Sequence, residues 1–126
     1  METIQLEKMI YRESGMGEEQ TFLWTKATRE LRLEDARNKE KSEQIRVLSQ
    51  SEQTELEQRF RQADVIHWEP VYTTEWLILD GTYWEISWSE SDRNRTSQGS
   101  NAYPDGWELL RDWLYRQFEI REEKIR

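Results

Sequence analysis

The chain contains no cysteine. Disulfides, thiolate metal sites and cysteine nucleophiles are therefore excluded. No apolar run approaches the roughly 18–20 residues of a membrane-spanning helix. The opening Met-Glu-Thr-Ile-Gln-Leu-Glu also lacks the basic and apolar regions of a signal peptide. These absences set the expectation of a cytoplasmic protein with no membrane contact. Histidine occurs once, at His67. A single imidazole without thiols makes a zinc site only with several carboxylates, so neither metal nor cofactor is expected. There is no GxGxxG pattern and no P-loop. Positive charge is also in deficit, with 18 Lys and Arg against 26 Asp and Glu for a net charge of −8. That sign repels phosphate backbones and favours a basic partner, which argues against nucleic acid. Solubility alone is the plainer reading of the acidity.

Against these absences stands a large aromatic content. A hydrophobic fraction of 35% beside a charged fraction of 35% leans towards disorder. Seven Trp, five Tyr and three Phe oppose that lean, because each large aromatic buries roughly 150–250 Å². The 126 residues fit one domain, 1–126, with a core of Trp, Ile and Leu.

Periodicity supplies the elements. Ile4, Leu6 and Ile10 predict a strand over residues 3–11, and β-branched and aromatic residues predict another over 21–25. Gly15 and Gly17 place a loop between them, over residues 14–19. Residues 26–44 are good helix formers, yet Leu31 and Leu33 alternate and a helix there has almost no apolar face. The expectation is a long hairpin, with arms near 29–36 and 43–48 and a turn at 38–41. Ser49 and Glu52 then form a capping box, and Leu56, Phe60 and Ala63 predict an amphipathic helix over 50–63. Glu69-Pro70 breaks the chain. Residues 75–79 read as a strand, Asp80-Gly81 as a turn, and 82–89 as the clearest strand, with Trp84, Ile86 and Trp88 on one face. A turn at 91–94 and a short strand over 95–98 follow. Pro104 suits the first position of a last helix carrying Trp107, Leu110, Trp113, Leu114 and Phe118 and running to about residue 120. The order predicts an α+β fold: an antiparallel sheet with two helices packed on one face.

A particular combination recurs in the C-terminal part. Trp68 and Tyr72 precede Asp80-Gly81-Thr82-Tyr83-Trp84, and Gly99-Ser100-Asn101-Ala102-Tyr103-Pro104 precedes Trp107. Over residues 68–114 the chain resembles a family of small uncharacterised bacterial proteins with a DGTxW strand and a GSNAYP lead into a helix. The resemblance implies a fold and a bacterial origin, and no activity.

Few residues are equipped for chemistry. A general base titrating near neutrality would be His67 or a perturbed carboxylate such as Glu69 or Asp80. The plainer reading makes His67 a surface residue. Ser100 and Asn101, in the glycine-bounded stretch 99–106, could offer side chains and free amides to an anion. The same residues also turn the chain into the helix, and that reading is preferred. Trp24 and Trp68 lack periodic partners and are expected at the surface, as contacts for a ligand or another protein. No catalytic residue is assigned. The first expectation is a non-catalytic protein-interaction domain, with an immunity-type antagonist of a basic protein as a refinement within that class. The rivals are an enzyme or ligand-binding domain built on His67 and nearby carboxylates, and an accessory protein that self-associates through an edge strand.

Overall fold

The computed structural model describes residues 5–15, 17–37, 40–73, 82–90 and 93–118. In the first half, alternation of side chains decides the structure. Met9, Tyr11 and Glu13 are the buried residues of β1 (Lys8–Gly15), and Gln20, Phe22 and Trp24 those of β2 (Glu18–Thr25). The strands pair antiparallel with Tyr11 opposite Phe22 and Met9 opposite Trp24, so these side chains share one face. The stretch of good helix formers forms a hairpin, β3 (Glu30–Arg37) and β4 (Glu40–Val47). Leu31 and Leu33 are fully buried opposite Trp24 and Phe22. Their burial every second residue outweighs the local helix propensity, which a helix without an apolar stripe could not turn into packing.

Helix α1 (Gln50–Gln62) starts on the predicted capping box: Ser49 Oγ accepts from the Glu52 N–H at 3.1 Å, and the Glu52 carboxylate accepts from the Ser49 N–H at 2.8 Å. A 3-10 turn, Val65–His67, follows. The second half supplies β5 (Val71–Thr73), β6 (Tyr83–Glu90), β7 (Arg93–Ser100) and α2 (Trp107–Gln117). The seven strands form one sheet in the order β4-β3-β2-β1-β6-β7-β5, antiparallel except where β5 runs parallel to β7. With the two helices, this is an α+β fold.

Trp84, Ile86 and Trp88 are buried on β6, as their alternation predicts. The ring of Phe60 on α1 meets Trp88 edge-on at 5.1 Å, and Trp24 donates its indole N–H to Gln53 on α1 at 3.2 Å. From α2, Tyr115 packs on Phe22 at 5.2 Å, and Trp107 donates to the Tyr11 hydroxyl at 2.9 Å. Gly99 is required by close approach. A Cβ there would lie 2.4 Å from Trp84 Nε1 and 2.6 Å from the Ala102 carbonyl, which are themselves hydrogen-bonded.

Several boundaries differ from the sequence reading. β1 runs through Gly15 instead of ending at residue 11, and β2 begins at Glu18, so residues 14, 15, 18 and 19 of the expected loop belong to strands, and residue 16 lies outside the described residues. A hydrophobic period cannot see this extension because its inward position is a charge, Glu13. β7 covers eight residues instead of four. Pro104 lies ahead of α2 and not at its first turn. Gly106 begins the helix with a positive φ of 85°, and a Cβ at Gly106 would lie 3.1 Å from Ala63 Cα, so the end of α1 sets where α2 can start. The parallel strand β5 carried no sequence signal. The expected strand 75–79, the Asp80-Gly81 turn and the end of the last helix beyond residue 118 lie outside the described residues, as do residues 91 and 92 of the expected turn.

Candidate functional site

Two residues expected at the surface are in the core. Trp24 is 1% exposed between Leu31 and Met9, and Trp68 is 8% exposed, edge-on to Trp84 at 5.5 Å with its indole N–H on the Ala63 carbonyl. Neither offers a flat platform to a partner. A lone Trp in a sequence window finds its packing partners across strands and loops, which a periodicity argument does not reach.

His67 is exposed, and its Nδ1 lies 2.7 Å from Asp64 Oδ1. Asp64 sits in the left-handed region with φ 60°, which brings the carboxylate back towards the imidazole three residues on. Glu69 uses its backbone N–H on the Tyr72 hydroxyl. Asn101 is bonded to Thr82 in both directions: its Oδ1 accepts from the Thr82 N–H at 2.9 Å, and its own N–H donates to the Thr82 carbonyl at 3.0 Å. This reciprocal pair, with Asn101 at φ 56°, turns the chain out of β7. Ser100 is the exposed last residue of β7. The structure therefore does not bring the five sequence candidates together. Among the described residues, no group of three or more Asp, Glu or His is placed to hold a metal ion.

The densest polar cluster was not anticipated from the sequence. Glu13 is 6% exposed, yet four donors converge on its carboxylate. Tyr11 donates to Oε2 at 2.8 Å and Tyr115 to Oε1 at 2.5 Å, while Arg111 reaches both oxygens, from Nε at 3.0 Å and from a terminal nitrogen at 3.4 Å. The Arg111 guanidinium lies over the Tyr115 ring at 4.1 Å and near Trp107 at 5.6 Å. Tyr115 has one proton, which goes to the nearer Glu13, so Gln20 Oε1 at 3.3 Å is a neighbour and not a second acceptor. Burial first, and then the negative charge of Glu13, push the Tyr11 and Tyr115 phenols well above their ordinary range. Burial opposes the Arg111 charge, but the hydrogen bonds and charge of Glu13 outweigh it and raise the guanidinium further. Every group here is engaged by another, which makes a pin between α2 and β1 and leaves no acid or base free for substrate. A spacing signal existed: Trp107, Arg111 and Tyr115 recur every fourth residue, and Glu13 shares the parity of Met9 and Tyr11.

The opposite side of the strands is half-buried. Ile10, Arg12, Thr21, Leu23, Arg32 and Glu85 alternate with the core residues and are half-buried. Arg12 bridges Glu85 at 2.8 Å and Glu19 at 3.6 Å; Arg32 lies 3.5 Å from Glu43. Glu34 stands directly opposite Glu43 across β3 and β4, a like-charged cross-strand pair. These residues border a depression of about 380 Å³ lined by Glu19, Thr21, Glu34, Asp35, Ala36, Ser42 and Glu43. Four of its seven lining residues are carboxylates and none is a cation. Like charges directly opposite each other destabilise a sheet, a cost that Arg32 beside Glu43 offsets in part.

No protein-family model and no curated protein matches the chain.

Proposed function

We propose that the chain is a non-catalytic protein-interaction domain. Two helices cover one face of the sheet and hold it rigid, and the other face receives a partner that presents basic side chains. The observation that carries this reading is the pairing of Glu34 with Glu43 at the rim of a depression lined by four carboxylates and no cation, with Arg32 3.5 Å from Glu43 just outside it. A Lys or Arg from a partner placed between them would turn a repulsion into two charge-assisted contacts. The half-buried Ile10 and Leu23 supply apolar area beside it, and the net charge of −8 steers a basic protein towards the whole chain. An antagonist that neutralises a basic partner is the form of function that fits these features. The exposed His67–Asp64 pair borders neither this depression nor the Glu13 pin, so the His67 enzyme reading gains no support from it.

Peptide display selected on the immobilised chain tests the reading. It predicts enrichment of Lys- and Arg-rich sequences whose binding weakens with salt and is lost in the double variant Glu34→Lys/Glu43→Lys. Enrichment of neutral or acidic sequences, or binding indifferent to that charge reversal, would overturn it.

A further inference from the structure

Strand β4 ends the sheet on one side, and its far edge meets no other strand among the described residues. The direction of its backbone groups follows from one bond. Leu48 donates its N–H to the Arg29 carbonyl at 2.8 Å, continuing the ladder in which Val47 faces Glu30. Pairs in an antiparallel ladder alternate between bonded and non-bonded. Arg46 and Gln44 therefore spend their backbone N–H and C=O groups on β3, whereas Glu43, Ile45 and Val47 turn theirs outward. Ile45 and Val47 are also two of the chain's large exposed apolar residues, 52% and 59% exposed. Unpaired backbone and unburied side chains thus coincide on the same residues.

We infer that this edge pairs with the same edge of a second copy, joining two sheets antiparallel about a two-fold axis normal to the sheet. The charge of the strand selects the occupant. The chain carries −8, but the charged side chains described on β4 balance, Glu43 against Arg46. A copy is thus not repelled at this strand, although Glu43 also lines the acidic depression. An axis normal to the sheet keeps outer residues opposite outer residues. Centred on Gln44 it sets Glu43 opposite Ile45 of the other copy, and centred on Ile45 it sets the two Ile45 residues together. Neither register opposes like charges directly. The pairing is isologous, with the same edge used on both copies, so the assembly closes as a dimer instead of growing into a fibre. One strand joint buries less than the roughly 800 Å² per partner of a standard interface, so the dimer dissociates on dilution.

Sedimentation velocity over a wide range of concentration tests this. The full chain should pass reversibly from monomer to dimer, and Ile45→Lys and Val47→Lys should each stay monomeric with an unchanged circular dichroism spectrum. Hydrogen exchange adds a second readout. The amides of Glu43, Ile45 and Val47 should gain protection at high concentration, while those of Gln44 and Arg46 stay protected throughout. A chain that is monomeric at every concentration overturns the inference. So does a dimer that survives both substitutions, or one that leaves the outward amides unprotected. A failed dimer leaves the acidic-face reading standing, because peptide binding tests that face on the monomer, although Glu43 belongs to both surfaces.

Discussion

Glu13 carries more of the fold than any single apolar residue suggests. Its carboxylate collects Tyr11, Tyr115 and Arg111 at one point beneath α2. Breaking a buried ion pair by removing one partner typically costs about 3–5 kcal/mol, because the other charge stays buried. Glu13→Gln should therefore lower stability by about 3 kcal/mol in denaturant unfolding, since an amide turns two of its own donors towards three donating residues. The double variant Glu13→Gln/Arg111→Met should recover part of that loss. Additive losses would mean the pair acts through something other than each other. The phenols make a second prediction. Tyrosines of an unfolded chain titrate near pH ~10, and Tyr11 and Tyr115 are held above that in the fold. Above that pH the unfolded state loses protons that the folded state keeps, so stability falls as pH rises. A phenolate absorbance titration should show these two tyrosines ionising only as the protein unfolds. If all five tyrosines titrate together in folded protein, the burial of the pin is wrong.

At the scale of elements, α2 is held by both packing and the pin, whereas the His67 turn is held by little. Trp113 is 2% exposed and donates its indole N–H to Glu55 at 3.0 Å, tying α2 to α1. Trp113→Ala should cost about 3–5 kcal/mol and His67→Ala no more than about 0.5 kcal/mol, as read by thermal melts of the two variants. Equal melting would mean that α2 packs on nothing. Helix α1 depends on its first turn. The Ser49 backbone N–H, then the guanidinium of Arg46, hold the Glu52 carboxyl below its ordinary range. Ser49→Ala should cost about 1 kcal/mol at neutral pH. Because the Glu52 contribution needs its charge, it is present above the ordinary carboxylate range and should be lost as pH falls below it. A Glu52→Gln deficit that stayed unchanged on acidification would contradict this. The capping box and the β3–β4 hairpin were both legible in the sequence, for different reasons. The box is local chemistry at fixed spacing. The hairpin was readable because Leu31 and Leu33 alternate where a helix needs a stripe. The end of β1, the start of α2 and the parallel β5 were not legible. Each is set by a contact distant in sequence: Glu13 with α2, Gly106 with Ala63, Pro70 and Val71 with β7.

For the whole molecule, the two faces of the sheet divide the work. One face carries Trp24, Trp84, Trp88 and the Glu13 pin, a rigid support that stability measurements will register. The other carries Glu34, Glu43 and Glu19 around the depression that the proposed reading assigns to a basic partner. An acidic interaction domain was the first of three expectations from the sequence. The sequence could not point to the surface, because Glu34 and Glu43 meet only once the hairpin register is set, and because Trp24 and Trp68 looked free until strands from elsewhere closed over them. The most direct measurement is site-specific crosslinking in the cell that makes the protein, with a photo-reactive residue placed either at Thr21, in the depression, or at Gln58, on the exposed side of α1. The account predicts a covalent adduct to a basic protein from Thr21, absent from Gln58 and abolished when Glu34 and Glu43 are both changed to Lys. Adducts of equal yield from both positions, or adducts from Thr21 that persist after the charge reversal, would contradict it.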